Sequence, residues 1–361
     1  MVSQDLLLEP SPQVNRYLGR LADSYTLMAF LQETPDVQAT VKKLFAQGEV
    51  WLDSSVVLPV LADTLADGPE RYFTALIHAA REAGIILRVT PGIVEEVERH
   101  LNRTLVCGRS LAQWTGEAPY LYWRYAESGR SQSLLPRWIE QFVGTMRPED
   151  DLEIYLREEH GILVSPCPTD LAGADAPLWD AALAEWQAIH DQRRGAGADP
   201  MLTLRLARHD AENHVLVVSS RRTQAASAFG YSTWWLTLDR RAVTAHAAIA
   251  ERLGRRGLAS PLMSPDFLRN YLSFGPSRRL VSRSMESALP VLADGRLSQF
   301  VPLELLKTAE GIRTSHSDQP ERAIRRSVRD GLDRARLWRG PVAAANLKTL
   351  NTVLAGTVET I

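Results

Sequence analysis

Short apolar runs alternate with amphipathic stretches in two separate parts of the chain, and the two periodicities assign the elements. Residues 1–46 place Leu18, Leu21, Tyr25, Met28, Leu31, Val41 and Leu44 at helical spacing, which predicts helix. Val50-Trp51-Leu52 then reads as a buried strand stopped by Asp53-Ser54-Ser55, a helix N-cap pattern, with Val56 to Leu65 as the helix. Asp67-Gly68-Pro69 breaks that helix. Glu70 to Ala83 predicts a second one, with Phe73, Leu76, Ile77 and Ala80 on one face and Gly84 as C-cap. Ile85 to Val89 suits a parallel strand buried on both faces. Thr90-Pro91 opens a third helix, Gly92 to about Leu105: Thr caps, Pro takes the first helical position, and acids follow in the first turns.

The rhythm lapses from about 107 to 198. That stretch carries Trp114, Trp123, Trp138, Trp179 and Trp186 at mostly helical period, and Ile162 to Val164 alone resembles a strand. It reads as a helical insertion ended by a flexible turn, Arg193 to Ala198. Asp199-Pro200 starts a new helix carrying Arg208 to Asn213, which leads into Val215 to Val218, helical or strand-like. Trp234 to Leu238 is a strand ending in Asp239, Arg240 to Leu253 a helix, and Gly257 to Met263 a weak strand interrupted by Pro261. Ser264-Pro265-Asp266 caps a short helix to about Phe274, and helices follow Pro276 to Ile361. The expected fold class is α/β. A parallel-sheet core spans 47–106 and 200–275, with a large helical insertion at 107–199 and helical extensions at 1–46 and 276–361.

Composition narrows the function classes. The 45% hydrophobic and 23% charged content is that of a soluble globular protein and excludes wholesale disorder. Lys+Arg 41 against Asp+Glu 43 excludes a globally basic nucleic-acid binder but leaves room for a local basic face. Two cysteines, Cys107 and Cys167, cannot build a disulfide framework or a cysteine zinc cluster, and they suit a reducing compartment. No stretch approaches the roughly 18 consecutive apolar residues of a membrane span. Asp5 and Glu9 stand where an export signal needs basic residues. The expectation is a cytoplasmic protein with no membrane partner. Gly195-Ala196-Gly197 follows a helix and lacks a third glycine at the required spacing, so it is no dinucleotide fingerprint, and no P-loop motif occurs.

The acids carry the candidate chemistry. Asp53 and Asp239 each directly follow a strand, and parallel strands end at a common edge where ligands bind. Glu95 and Glu96 fall in the first turns of the helix after the second strand, and Asp210 lies in a helix able to reach the same crevice. Converging carboxylates repel one another and lose hydration, so they normally persist around a cation. Oxygen ligands without Cys or His favour Mg²⁺ or Mn²⁺. Such a site suits in-line attack on a phosphodiester, with a metal pair roughly 3.5–4 Å apart neutralising the developing charge. Helix capping explains any one Asp, but Asp210 and Glu96 have no capping role here.

Four segments in order, Trp51-Leu52-Asp53-Ser54-Ser55-Val56, Thr90-Pro91-Gly92-Ile93-Val94-Glu95-Glu96-Val97, His209-Asp210-Ala211-Glu212-Asn213 and Trp235-Leu236-Thr237-Leu238-Asp239, resemble the PIN-domain nuclease family. Gly257 to Leu272 looks like that family's final strand and helix. The resemblance covers about 47–106 and 200–275. It implies a PIN-like core and a metal-dependent nuclease acting on RNA, occasionally DNA. Asp53 and Asp239 would be metal ligands, Glu96 a ligand or water activator, and Asp210 a further ligand. Glu96 is preferred to Glu95 because the family acid precedes an apolar residue, here Val97. Ser54 and Thr237 match the small hydroxyl positions that orient the site. The long insertion between the second and third acids departs from the family and would border the substrate groove.

Arg240 and Arg241, directly after Asp239, are candidate substrate contacts, and Arg221-Arg222 lie nearby in sequence. Arg322, Arg325, Arg326 and Arg329 share one side of a predicted helix, a stripe able to grip phosphates, with Trp338 available to stack on a base. The alternative is a catalytically degenerate PIN-like scaffold that binds nucleic acid or protein partners, or a second copy of itself, through the helical modules. An aspartyl-phosphate phosphatase also begins with Asp after a first strand, but it needs a second Asp two positions on, where this chain has Ser55.

Overall fold

The computed structural model describes residues 48–66, 71–114, 117–194, 199–223, 231–255, 257–273, 310–315 and 319–337. The helix expected over 1–46, the break at 67–70, Trp338 and most of 276–361 lie outside the described residues. The sheet has five strands: β1 (Glu49–Leu52), β2 (Ile86–Val89), β3 (Ile162–Val164), β4 (Thr233–Leu236) and β5 (Leu262–Met263). Every pairing is parallel, in the order β3-β2-β1-β4-β5. The chain starts in the middle, builds outward through β2 and β3, then returns to the other side of β1 for β4 and β5. β1 and β4 therefore flank the point where the winding reverses, which is where open α/β sheets hold ligands.

Helices follow in chain order: α1 (Ser54–Ala62), α2 (Tyr72–Glu82), α3 (Pro91–Arg109), α4 (Tyr120–Glu127), α5 (Leu135–Glu140), α6 (Pro148–His160), α7 (Leu171–Ala174), α8 (Ala176–Arg194), α9 (Pro200–Ser220), α10 (Arg241–Arg252), α11 (Pro265–Ser273) and α12 (Glu321–Leu337). Alternation along the strands divides the core in two. Val50, Leu52 and Leu236 join α1 to α6 on one face, while Trp51 and Trp235, opposite each other in register, join α7 to α10 on the other. The fold is thus an α/β protein with helices on both faces of a parallel sheet. Among the described residues no helix is long and apolar enough to cross a membrane.

Two local expectations change and one left open is decided. The 107–199 stretch is mainly helical, but Ile162–Val164 pairs with β2 and forms the edge of the central sheet, so this stretch also extends the sheet. Arg193 and Arg194 continue α8 in place of a turn. Val215 to Val218 lie in the last turns of α9, which runs unbroken from Pro200 to Ser220 and is buried on all sides there.

Two contacts set how closely helices approach the site. Gly92, in the first turn of α3, faces the buried ring of His209 in α9: a β-carbon there would lie 2.5 Å from the imidazole Cδ2. Gly92→Ala is expected to cost about 1–3 kcal/mol, read as a lower denaturant midpoint, because a packed core resists an added methyl. An unchanged midpoint would mean that the ring shifts freely. At the opposite edge, Arg221 donates to the Thr233 carbonyl at 2.8 Å and the Ser260 carbonyl at 2.6 Å, with its guanidinium over Tyr231 and Trp234. Burial lowers its pKa to about 10. Arg222 pairs with Asp175. Both arginines tie α9 to the strand starts and neighbouring loops, away from the carboxylate edge.

Candidate carboxylate site

Asp53 occupies the N-cap position of α1 but makes no capping hydrogen bond with its side chain. Its carboxylate turns across the sheet instead. Oδ2 accepts from Thr237 Oγ1 at 2.7 Å and from Ser55 Oγ, and the hydroxyls accept in turn from the β4 exit: Leu238 N–H to Ser55 Oγ at 3.0 Å, Asp239 N–H to Thr237 Oγ1 at 2.9 Å. The hydroxyl beside Asp53 therefore belongs to Ser55. Ser54, expected in that role, is the buried first residue of α1, and adjacent helical residues point about 100° apart.

Asp53 is 5% exposed and its pKa is raised to about 6. Burial is the main cause and the charge of Glu96 the second; the two hydroxyls pull the other way, and Asp239 adds a smaller push upward. Asp210, in α9, is raised well above the ordinary carboxyl range, first by burial, then by the charges of Asp53, Glu96 and Asp239. Glu96, one turn into α3, is pushed up by burial, yet His100, Arg99 and His209 together hold it below its ordinary value. The charges of Glu96 and Asp239 thus reach Asp53, and those of Asp53, Glu96 and Asp239 reach Asp210. Glu95 points elsewhere, into ion pairs with Arg99 at 3.2 Å and Arg205 at 3.0 Å.

Positive groups enter from two sides. Arg241, in the first turn of α10, grips Asp239 with Nε and Nη2 at 2.8 and 2.6 Å, and its backbone N–H also reaches Asp239 Oδ1. Burial would lower the Arg241 pKa, but Asp239, Asp210 and Asp53 together raise it. Arg193, near the end of α8, is lowered by desolvation and then by the like charge of Arg241, while Asp239, Glu117 and Glu96 oppose that shift. Arg193 and His190, whose Nε2 lies 2.7 Å from Asp210 Oδ2, come from the 107–199 stretch. Sequence reading did not find them at the site, since nothing in α8 marks which of its turns reaches the sheet edge.

The remaining candidate arginines stand at the start of α10 and on α12. Arg240 is exposed at the start of α10. Arg322 is exposed on α12, and Arg325 of that helix donates to the Ser128 carbonyl at 3.2 Å, beside α4. The Arg329 side chain lies outside the described residues. His209 packs on Gly92, and His214 stacks on His246 in the core.

Whether the acids fit a hard cation divides into chemistry and arrangement. An all-carboxylate donor set, two of whose members are driven toward protonation, has the right chemistry. Yet among the described residues no group of three or more His, Cys, Asp or Glu side chains is arranged to hold a metal ion. Asp239 is turned onto Arg241 and Asp210 onto His190. Comparison of the chain with protein-family models, curated proteins and solved structures gave no match.

Proposed function

We propose that this protein is a PIN-like, metal-dependent phosphodiester hydrolase, a nuclease with RNA ahead of DNA as its substrate, working in the cytoplasm. The observation that carries the reading is mutual electrostatic strain: Asp53, Glu96, Asp210 and Asp239 come from four distant segments yet act on one another through space, and burial with that repulsion raises Asp53 to about 6 and Asp210 well above the ordinary carboxyl range. Proteins seldom retain such a cluster without positive charge to relieve it, and perturbed groups of this kind mark functional sites. Mg²⁺ or Mn²⁺ held by these four acids would supply an acidified water and neutralise charge on a phosphoryl group.

The chain's own side chains divide the remaining work. Ser55 and Thr237 fix one oxygen of Asp53 and lock the β1 and β4 exits together. Arg193 and Arg241 offer guanidiniums to an incoming phosphate, with Arg241 exchanging Asp239 for substrate or keeping it oriented. The double variant Asp53→Asn/Asp239→Asn is expected to keep its circular dichroism spectrum and to lose cleavage of a single-stranded RNA oligonucleotide in Mn²⁺. Cleavage at the wild-type rate would overturn the assignment.

The degenerate scaffold has one specific observation in its favour, the Arg241 grip on Asp239 that neutralises one acid internally. It expects no heat of Mn²⁺ binding in calorimetry, whereas the hydrolase reading expects saturable uptake that Asp53→Asn weakens.

A further inference from the structure

Helix α3 carries its charges in two blocks. Glu95, Glu96 and Glu98 stand in its first turns, and from Arg99 to Arg109 it holds Arg99, Arg103 and Arg109 and no acid. We propose that the exposed guanidinium of Arg103 and the indole of Trp114 form a contact site for single-stranded nucleic acid, Arg103 taking a phosphate and Trp114 a base. The proposal rests on the hydrolase reading above and names the surface along which a strand would approach the acids.

A reversal of the chain brings the two side chains together. α3 ends at Arg109, and a single 3₁₀ turn, Leu111–Gln113, follows, closed by Gln113 N–H to the Ser110 carbonyl at 2.9 Å and Trp114 N–H to the Leu111 carbonyl at 3.3 Å. Trp114 thereby lies beside Arg103, whose guanidinium carbon is 5.7 Å from the ring centroid. The indole N–H donates to the Glu117 carbonyl at 3.2 Å, which restrains the ring. Trp114 is half-buried against the core of the α1–α6 face, and Arg103 is exposed. Arg103 also differs from its neighbours. Arg99 and Arg205 pair with Glu95, Arg124 with Glu127 and Arg208 with Glu212, whereas among the described residues Arg103 meets no carboxylate at ion-pair distance.

The pair is tied to the acids from two directions. Glu96, His100 and Arg103 follow one another at spacings of four and three and so share one side of α3, with His100 Nε2 3.8 Å from Glu96 Oε1. The seven residues from Glu96 to Arg103 amount to about 10 Å along the helix axis. Glu117, whose carbonyl holds the Trp114 indole, acts by its charge on Arg193, which also feels Arg241, Asp239 and Glu96. The loop from Trp114 to Glu117 therefore borders both α3 and the end of α8. The helix dipole alone favours acids early and arginines late in a helix, but it does not call for an aromatic ring beside one of them. An arginine with an indole supplies the two features that hold a single strand, positive charge for its backbone and a flat π surface for a base. A duplex keeps its bases stacked inside, which makes the single strand the occupant.

The test is binding of a fluorescein-labelled oligouridylate to the full chain, read by anisotropy in EDTA so that neither metal nor cleavage enters. Trp114→Ala is expected to weaken binding about 5–150-fold without changing its salt dependence, and Trp114→Phe to restore most of it. Arg103→Gln is expected to lower the slope of log affinity against log salt by about 0.7, the share of one phosphate on a single strand. Polyphosphate, a polyanion without bases, should lose no affinity in Trp114→Ala; an equal loss there would overturn the base contact. Wild-type affinity and salt slope in both Trp114→Ala and Arg103→Gln would overturn the site, even with RNA cleavage intact and the hydrolase reading standing. A wild-type protein that does not bind oligouridylate would overturn it too. Binding with the expected dependences but no cleavage in Mn²⁺ would keep the site and sink the hydrolase reading in favour of the degenerate scaffold. Should Trp114→Ala fail to fold, photocrosslinking of a 5-iodouridine oligonucleotide to the wild type decides: a crosslink at Trp114 supports the site, and none at Trp114 refutes it.

Discussion

Asp53→Asn is expected to unfold at a higher temperature than the wild type at pH 7 while cutting no RNA. The carboxyl is buried, and its pKa rises from the ordinary 3.8 to about 6, chiefly through burial and then the Glu96 charge. A group raised in the folded state favours folding fully below the unfolded value and loses that contribution as pH rises through the folded one. At pH 7 Asp53 is ionised in both states, so the folded chain carries the whole cost of the charge. A shift from 3.8 to about 6 corresponds to roughly 3 kcal/mol, an upper figure because the pocket relaxes. The amide removes the charge, and its oxygen still accepts from Ser55 and Thr237. The gain should vanish below about pH 4, where Asp53 is neutral as well. Denaturant midpoints at pH 4 and pH 7 check this; a variant less stable than wild type at pH 7 would refute the strain assigned to the pocket.

The second large effect runs the other way with pH. His214 is fully buried between Trp235 and His246, and burial followed by the neighbouring His246 lowers its pKa from 6.5 to about 3. His246 Nε2 lies 3.1 Å from the Leu258 carbonyl, so it donates there, and its Nδ1 then accepts from His214 Nε2 at 3.3 Å. That chain requires His246 neutral, and burial keeps His214 neutral as well. A lowered group contributes stability that is present above the unfolded pKa and lost as pH falls toward the folded value. Between pH 6.5 and pH 4 the loss from His214 should reach on the order of 3 kcal/mol. His160, lowered to about 4 by burial and then by His78, adds to the same slope. The acid limb of the stability profile should therefore be steep and should flatten in His214→Gln. An unaltered limb would show that His214 titrates normally. Asp53 opposes this slope in the same window, so Asp53→Asn should steepen the limb.

The sheet was legible in the sequence because its strands end in signals of different kinds: Asp-Ser-Ser after Leu52, Thr-Pro-Gly after Val89, and Thr-Leu-Asp after Leu236, two residues earlier than the expected strand end at Leu238. These fixed where chain direction changes, and with it the edge that gathers Asp53, Glu96 and Asp239. Asp210 followed from α9, whose Asp199 cap holds with Oδ1 accepting from Met201 N–H at 2.9 Å. Ser55 was missed because the helical turn that separates it from Ser54 is invisible to a motif match. His190 and Arg193 were missed for a broader reason. Which face of α8 meets the pocket depends on packing between α8 and α9, decided by alanines far from any motif. The edge role of Ile162–Val164 was hidden likewise, since a three-residue strand amid helices declares its pairing only through its neighbour β2.

The two halves of the pocket are joined late. Asp53 Oδ2 meets Thr237, 184 positions along the chain, and β1 pairs with β4 across that span. β1 and β2, by contrast, close over a short βαβ segment, and closing the longer loop costs more entropy. During synthesis the first two acids emerge and settle long before Asp210 and Asp239 leave the ribosome. A nascent chain therefore holds an incomplete charge cluster until the segment after β4 has emerged.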